Sequence, residues 1–220
     1  MWRIARDQSI SIFFGVLFIG SLIGQAFAGV RARNAEAEAH GQAAISLSRY
    51  VLSSDYGRAV LENWQSEYLQ FLLFILATIW LFQRGSPESP SQPGRDSDKE
   101  EKVGRYALQS SPRWAKAGGW RTAVYSYSLP ILMGAIFVAS WLGQSVTGWT
   151  SYNEEQQMHD EPTVSWAAYV VRPNFWEETL QNWQSEFLAL GSMAVFAIYL
   201  RARGSPESKK VGDPHHKTGA

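Results

Sequence analysis

The sequence predicts an all-α membrane protein with four transmembrane helices, because long apolar runs alternate with polar connectors along the chain. The pentapeptide Asn-Trp-Gln-Ser-Glu at residues 63–67 returns unchanged at residues 182–186, which indicates an internal duplication. Each copy holds two apolar runs, so both copies cross the membrane in the same direction. We therefore expect two tandem parallel two-helix repeats related by a pseudo-two-fold axis along the membrane normal.

The composition is consistent with this class. Ten tryptophans concentrate near the ends of the apolar runs, as is typical of membrane–water interfaces. The 20 basic and 20 acidic residues balance, and no nucleic-acid partner is predicted. The chain contains no cysteine, which excludes disulfides and thiolate metal ligands.

The first predicted span covers about residues 10–30 and follows a short start that carries Arg3 and Arg6. A cleaved secretory signal is the alternative, because Ala-Phe-Ala at residues 26–28 resembles a processing site. The matching stretch at residues 127–149 lies in mid-chain, where no signal peptide can stand. The duplication therefore favours a structural helix in both copies, and residues 127–149 form the third predicted span.

Two stripes of side chains on these spans predict contacts inside the membrane. Small residues on the first stripe allow the first and third helices to pack closely. They are Gly20 and Gly24 in the first span and Ala139 and Gly143 in the third. Gln25 and its counterpart Gln144 lie on the second stripe, where hydrogen bonding between helices is favoured over ligand binding.

Residues 31–62 and 150–182 form the predicted outer loops. If the spans continue outward as helices, each loop begins with a glutamate and a histidine one turn apart. These pairs are Glu36 with His40 and Glu155 with His159. Across the pseudo-two-fold axis they would form a two-His, two-carboxylate site suited to zinc, iron or manganese, whereas two solvated polar turns are the simpler alternative. No cofactor is predicted.

Each outer loop continues with the features of a short interfacial helix and of a new helix start. Apolar and aromatic residues recur at spacings of three and four in residues 47–54 and 166–173, which predicts a short amphipathic helix. Asp55 and Asn174 are the expected N-caps of the helices that follow. Those helices contain the second and fourth spans, at about residues 64–83 and 183–201.

The acidic residue of each pentapeptide lies close to the outer start of its predicted span. The interval from Glu186 to Arg201 covers about 21 Å of helix, less than the hydrocarbon thickness of about 30 Å. Both acids are therefore expected at or beneath the outer interface with amide partners, either as a hydrogen-bonded brace or as an ion site. The candidate site consists of Gln25, Asn63, Trp64, Glu67, Gln144, Asn182, Trp183 and Glu186.

The domain boundaries follow from composition. Residues 1–90 form the first membrane repeat, 91–125 a cytoplasmic linker with an interfacial anchor, 126–209 the second repeat and 210–220 a disordered tail. Most of the 20 basic residues lie before the first span, in the central connector and in the tail. By the positive-inside rule, both termini and the connector are cytoplasmic.

Two copies of Asn-Trp-Gln-Ser-Glu, each followed by an apolar run that ends in Arg-Gly-Ser-Pro-Glu-Ser, resemble a bacterial integral-membrane family known only as a domain of unknown function. Gly-Gly-Trp-Arg-Thr at residues 118–122 belongs to the same pattern. The resemblance covers nearly the whole chain and implies a four-span protein of the bacterial inner membrane. It implies no activity, substrate or cofactor.

No phosphate-binding loop, dinucleotide fingerprint, zinc-protease helix or nucleophile elbow occurs in the sequence, so we expect no enzyme activity. The favoured function is a non-catalytic scaffold or accessory subunit that packs against lipid and against other membrane proteins or itself. The alternative is a conduit or carrier for a small solute or ion, in which Glu67, Glu186, Gln25 and Gln144 line a polar path. An outer-facing metal site at the two Glu/His pairs is the third possibility.

Overall fold

A computed structural model describes residues 6–89 and 97–219. Residues 90–96, which include the first part of the predicted linker, lie outside the described residues, as does the start that carries Arg3. All regular elements among the described residues are helical. The helices are α1 (Ser9–Ala39), α2 (Leu47–Val51), α3 (Ser54–Trp80), α4 (Arg113–Ala117), α5 (Gly119–Ser126), α6 (Ser128–Met158), α7 (Trp166–Tyr169) and α8 (Pro173–Tyr199), with a 3₁₀ turn at Gly104–Tyr106.

The two copies of the duplication have the same order of elements, a long helix, a short helix and a second long helix. α1 and α6 each have 31 residues, and α3 and α8 each have 27. The short helices α2 and α7 lie where amphipathic spacing predicts them. α1 and α6 continue past the predicted ends of their spans, so the outer segments begin as helices.

The turn after each 31-residue helix is closed by one asparagine. Asn34 of α1 donates from Nδ2 to the Ile45 carbonyl (3.0 Å) and accepts at Oδ1 from the Ile45 N–H (2.8 Å). Asn153 of α6 makes the same two bonds with Val164, at 2.9 Å each. An amide side chain can bond the donor and the acceptor of one backbone residue at once. This pair of bonds holds the returning segment beside the helix in both copies.

α1 and α6 are long and apolar enough to cross a membrane. α3 and α8, within the described chain, do not meet that standard. The first half of each carries the charged and amide residues around its pentapeptide, and only the second half is apolar. Two of the four predicted spans therefore have helices of the required length and composition, while the second and fourth spans stay predictions.

The chain divides into two compact units, each of which takes residues from both copies. The first unit contains residues up to Val60 and Gly143–Tyr169, and the second contains Leu61–Leu142 and the chain from Val170 onward. This division differs from the boundaries at residues 90, 125 and 209 that composition predicts. The first unit holds most of the first predicted outer loop and the part of the second one up to Tyr169, and the second unit holds both pentapeptides.

α3 and α8 begin earlier than the sequence predicts. Their first residues are Ser54 and Pro173, so Asp55 and Asn174 lie inside the first turn and the predicted N-caps are wrong. Ser53 caps α3, since its Oγ accepts from the N–H of Tyr56 at 3.3 Å. Pro173 suits the first helical position because its φ is fixed and the missing N–H would have no helical acceptor there.

Candidate functional site

An open cavity of about 520 Å³ lies within the first unit, between the ends of α1 and α6 and the start of α3. Its lining is rich in charge and includes both Glu/His pairs that the sequence singles out. The charged and imidazole side chains around it are Arg33, Glu36, His40, Asp55, Arg58, Glu154, Glu155 and His159. The structure therefore brings the two predicted pairs to one cavity.

Several of these side chains bond to one another or to neighbouring hydroxyls. Asp55 pairs with Arg33 (Oδ2 to Nε, 3.3 Å) and accepts from the Ser151 hydroxyl at 2.5 Å. Glu154 accepts from the Ser54 hydroxyl at 3.0 Å. Asp55, which the sequence assigns to a helix cap, thus joins three segments of the first unit. These bonds fix the wall of the cavity nearest the start of α3.

The metal site predicted at Glu36, His40, Glu155 and His159 is not assembled in the described residues. No three His, Asp or Glu side chains converge there in a way that would hold an ion. Nδ1 of His40 lies 2.9 Å from the backbone carbonyl of Glu36, so this ring bonds the helix end rather than the neighbouring carboxylate. The four residues line the same cavity, but they do not come close enough together to bind one ion, so the metal site stays a prediction.

Two buried tyrosines flank the first unit's long helices at equivalent positions. Tyr50 and Tyr169 are 8 % and 2 % exposed, and their hydroxyl ends lie against Gly29 and Gly148. A Cβ on either glycine would overlap the tyrosine hydroxyl, and at Gly29 it would overlap the ring as well. Burial, with a contribution from Asp55, raises the pKa of the Tyr50 hydroxyl. The sequence pairs the two tyrosines, but these glycines were missed although both copies keep glycine at this position.

We expect Gly29→Ala and Gly148→Ala to destabilise the protein by about 1–3 kcal/mol each, because overpacking displaces a buried side chain. Gly24→Ala is the matched control: Gly24 lies in the same helix as Gly29, and a Cβ there meets no atom within 4 Å. Alanine at Gly24 should be neutral or stabilise by about 0.5–1 kcal/mol. Thermal unfolding in detergent measures the difference, and equal effects at Gly24 and Gly29 would contradict it.

The sequence assigns Gly20 and Gly24 to close packing between the first and third spans. A Cβ at Gly24 meets nothing within 4 Å, so no close contact of Gly24 is seen within the first unit. Ala139 belongs to the second unit, and the packing of the two spans stays a prediction.

In the second unit, the pentapeptides join α3 to α8 by hydrogen bonds. The Trp183 indole donates to Oε1 of Gln65 at 2.7 Å, and Nε2 of Gln65 donates to the Glu62 carbonyl at 3.1 Å. Gln65 is 0 % exposed, and both ends of its amide are bonded. Nδ2 of Asn182 donates to Oε1 of Glu62 at 2.7 Å. The sequence names Asn182 and Trp183 but misses Gln65 and Glu62, their partners on the other helix.

The Trp183 ring also belongs to an aromatic cluster. Trp141 has its ring centroid 6.4 Å from Trp183, 5.9 Å from Trp176 and 6.2 Å from Phe175. Such tilted and edge-on pairs are favourable when buried. These tryptophans therefore pack against one another, whereas Trp80 and Trp120 are exposed, as expected of interfacial residues.

The remaining predicted site residues are less closely associated. Glu67, Asn63 and Trp64 are exposed, while Glu186 is half-buried. Gln144 is 1 % exposed, and neither end of its amide has a hydrogen-bond partner among the described residues. Gln25 and Gln144 belong to the first unit and the acids to the second, so their expected partnership stays a prediction.

The repeated Arg-Gly-Ser-Pro-Glu-Ser segments, here called the first hexapeptide (84–89) and the second hexapeptide (203–208), have the same local conformation. Gly85 and Gly204 have φ of 87° and 85°, which only glycine adopts easily. In each, the last serine accepts from the N–H two residues before that glycine, at 2.9 Å and 3.0 Å. In each, the first serine accepts from the glutamate N–H, at 3.1 Å and 3.2 Å.

The chain's C-terminal segment, residues 209–219, covers the first hexapeptide. Lys209 is 2 % exposed, and its ammonium donates to the carbonyls of Gly85 (2.6 Å), His215 (2.9 Å) and Lys217 (3.1 Å). The Gly85 N–H donates to the Thr218 hydroxyl at 2.9 Å, and the Gly219 N–H donates to the Ser86 carbonyl at 3.0 Å. The sequence predicts a disordered tail here, whereas in the structure the segment is ordered. The reason is that the buried Lys209 bonds the carbonyl of Gly85, which is distant in sequence, as well as two carbonyls of the segment itself.

Two ionisable groups at this contact are perturbed. Burial lowers the pKa of Lys209, and the nearby positive charge of Arg201 lowers it further. The three carbonyl acceptors offset this cost, because they stabilise the charged ammonium. Burial and the neighbouring carboxyl of Glu207, its counterpart in the second hexapeptide, raise the pKa of Glu88. The protonated Glu88 carboxyl therefore contributes to the stability of the folded protein at low pH. This contribution is lost as the pH rises through the raised pKa of Glu88 and the carboxyl ionises.

Residues 1–220 match the family model described as Domain of unknown function (DUF6766). No curated protein and no solved structure matches the chain. The chain belongs to the DUF6766 family, a domain of unknown function.

Proposed function

We propose that the protein is a non-catalytic scaffold or accessory subunit of the bacterial inner membrane, crossing it four times with both termini in the cytoplasm. The observation that carries this proposal is the use of the pentapeptide side chains. Gln65, Trp183, Asn182 and Glu62 bond one helix to another, as expected of a brace that fixes a helical framework.

Length supports the second and fourth spans. α3 and α8 have 27 residues each, about 40 Å of helix, which exceeds a hydrocarbon thickness of about 30 Å. Because the apolar second halves alone are shorter than this thickness, part of each polar first half would lie beneath the outer interface, where Glu67 and Glu186 are expected. The equal lengths of corresponding helices support tandem parallel repeats with a pseudo-two-fold axis along the membrane normal.

Large apolar side chains on α1 support packing against lipid and other membrane proteins. Ile10, Phe13, Phe14 and Val16 are all more than half exposed. Side chains of this kind need a bilayer or a protein partner to cover them. Partners are therefore expected to be membrane proteins or a second copy of the chain.

Two measurements test the proposal. Reporter fusions at residues 95 and 160 should show a cytoplasmic connector and a periplasmic second outer loop, and the opposite pattern would overturn the orientation. Purification in mild detergent should recover the chain in a stable assembly with other membrane proteins or itself. A monomer that carries ions across liposomes in a pH-dependent way would instead support the conduit, with Glu67 and Glu186 as its acids.

The cavity of the first unit favours a second candidate function, an outer-facing site for a metal ion or small polar solute. Its support is that Glu36, His40, Glu155 and His159 all line one cavity. Calorimetric titration with Zn²⁺ tests the metal. His159→Gln should abolish binding if the site exists, while His216→Gln in the C-terminal segment is the control. Equal binding by both variants would remove this candidate.

A further inference from the structure

The second hexapeptide presents the backbone groups that the first one uses, but no described residue covers them. At Gly85 a Cβ would collide with the His215 carbonyl, whereas at Gly204 a Cβ meets nothing within 4 Å. Gly204 is exposed, and beside it lies an open hollow of about 410 Å³ within the second unit. One of two matching surfaces is thus occupied, and the other is open.

We propose that the second hexapeptide is a docking site for a lysine-bearing segment of a partner protein, folded in turns as residues 209–219 are on the first hexapeptide. The first hexapeptide shows what such a surface accepts, namely an ammonium on its glycine carbonyl, a hydroxyl on its glycine N–H and a backbone N–H on its serine carbonyl. Because the second hexapeptide has the same conformation, the Gly204 carbonyl, the Gly204 N–H and the Ser205 carbonyl offer the same three groups.

The charges near the second hexapeptide are compatible with such a segment. Arg203 and Lys210 line the hollow and are exposed, so water and salt screen their repulsion of another cation. The covered surface already tolerates a similar arrangement, since Arg201 lies near Lys209. There the segment brings an acid of its own, Asp213, which pairs with Lys217 at 2.8 Å. We therefore expect the partner segment to carry a lysine, an acidic residue and a serine or threonine.

The inference deepens the proposed role as an accessory subunit, because it names where a partner's cytoplasmic segment binds. It is tested with a synthetic peptide of residues 209–219, Lys-Lys-Val-Gly-Asp-Pro-His-His-Lys-Thr-Gly, labelled with a fluorophore and a photo-crosslinker. The full-length protein in detergent should bind one peptide per chain, with crosslinks at residues 202–211. A Lys209→Met variant should bind two, because release of its C-terminal segment also opens the first hexapeptide.

A peptide with methionine in place of its first lysine should bind at least about tenfold more weakly, since it lacks the charged donor. The proposal is overturned if the full-length protein binds no peptide, if crosslinks fall only at residues 83–89, or if the methionine peptide binds equally well. A peptide in which glutamate replaces that lysine is expected to bind least, and tighter binding by it would also overturn the proposal. Failure to recover partners from membranes would weaken the subunit role without changing the peptide stoichiometry, so the two results are separable.

Discussion

Gln65→Leu is expected to destabilise the protein by about 1–3 kcal/mol, because the change leaves the half-buried Trp183 indole without its acceptor. The Gln65 amide accepts from that indole at 2.7 Å and is wholly buried. Leucine has a similar volume, so the loss reports the hydrogen bond rather than a cavity. Thermal unfolding in detergent, followed by circular dichroism, measures the effect.

The second pentapeptide contains a matched control residue for Gln65→Leu. Gln184 is the same residue of the second pentapeptide and is exposed, so Gln184→Leu should change stability by no more than about 0.5 kcal/mol. Adding Trp183→Phe to Gln65→Leu should recover part of the loss, since neither partner is then left unsatisfied. Equal effects at Gln65 and Gln184 would show that the bond between α3 and α8 does not brace the helices.

Lys209→Met is expected to release the C-terminal segment from the first hexapeptide. Methionine keeps a long apolar stem but lacks the three donors that bond the carbonyls of Gly85, His215 and Lys217. Loss of a charged donor costs on the order of 1–3 kcal/mol, so hydrogen exchange at the N–H groups of Gly85 and Gly219 should accelerate about tenfold or more. Limited proteolysis should also begin within residues 210–219.

Lys210→Met is the control for this release, because Lys210 is adjacent in sequence and exposed. It removes one positive charge, as Lys209→Met does, but no bond to the first hexapeptide. We expect its exchange rates and protease sensitivity to match those of the unaltered protein. Release by both variants alike would mean that net charge, rather than the buried ammonium, holds the segment.

The duplication made most of the helical plan predictable from the sequence. Apolar spacing and sequence identity are local signals, and they correctly indicated the short helices α2 and α7. The positions of Tyr50 and Tyr169 followed from the same offset. The N-cap of α3 was misplaced because Ser53 and Asp55 are both good capping residues, and only the turn geometry selects between them. The N-cap of α8 was misplaced because the helix already begins at Pro173, after Arg172, which makes no side-chain cap.

The parts that the sequence did not predict depend on contacts between distant residues. Gln65 and Gln184 are the same letter in the same pentapeptide, yet one is wholly buried and the other exposed. The segment after Lys209 has the polar composition of a disordered tail, and its order depends on carbonyls that include Gly85, far away in the chain. Amino-acid composition gives no information about a hydrogen bond between residues so far apart in sequence.

The unequal burial of Gln65 and Gln184 has a consequence for how the protein's two halves relate to each other. If the protein were a dimer of two identical half-length chains, the two halves would be equivalent. Every substitution would then be present twice, once in each chain. In the fused chain, a change at residue 184 leaves the bond at residue 65 intact, so the halves have lost their equivalence. The second half is thereby freed to acquire contacts of its own without weakening the first.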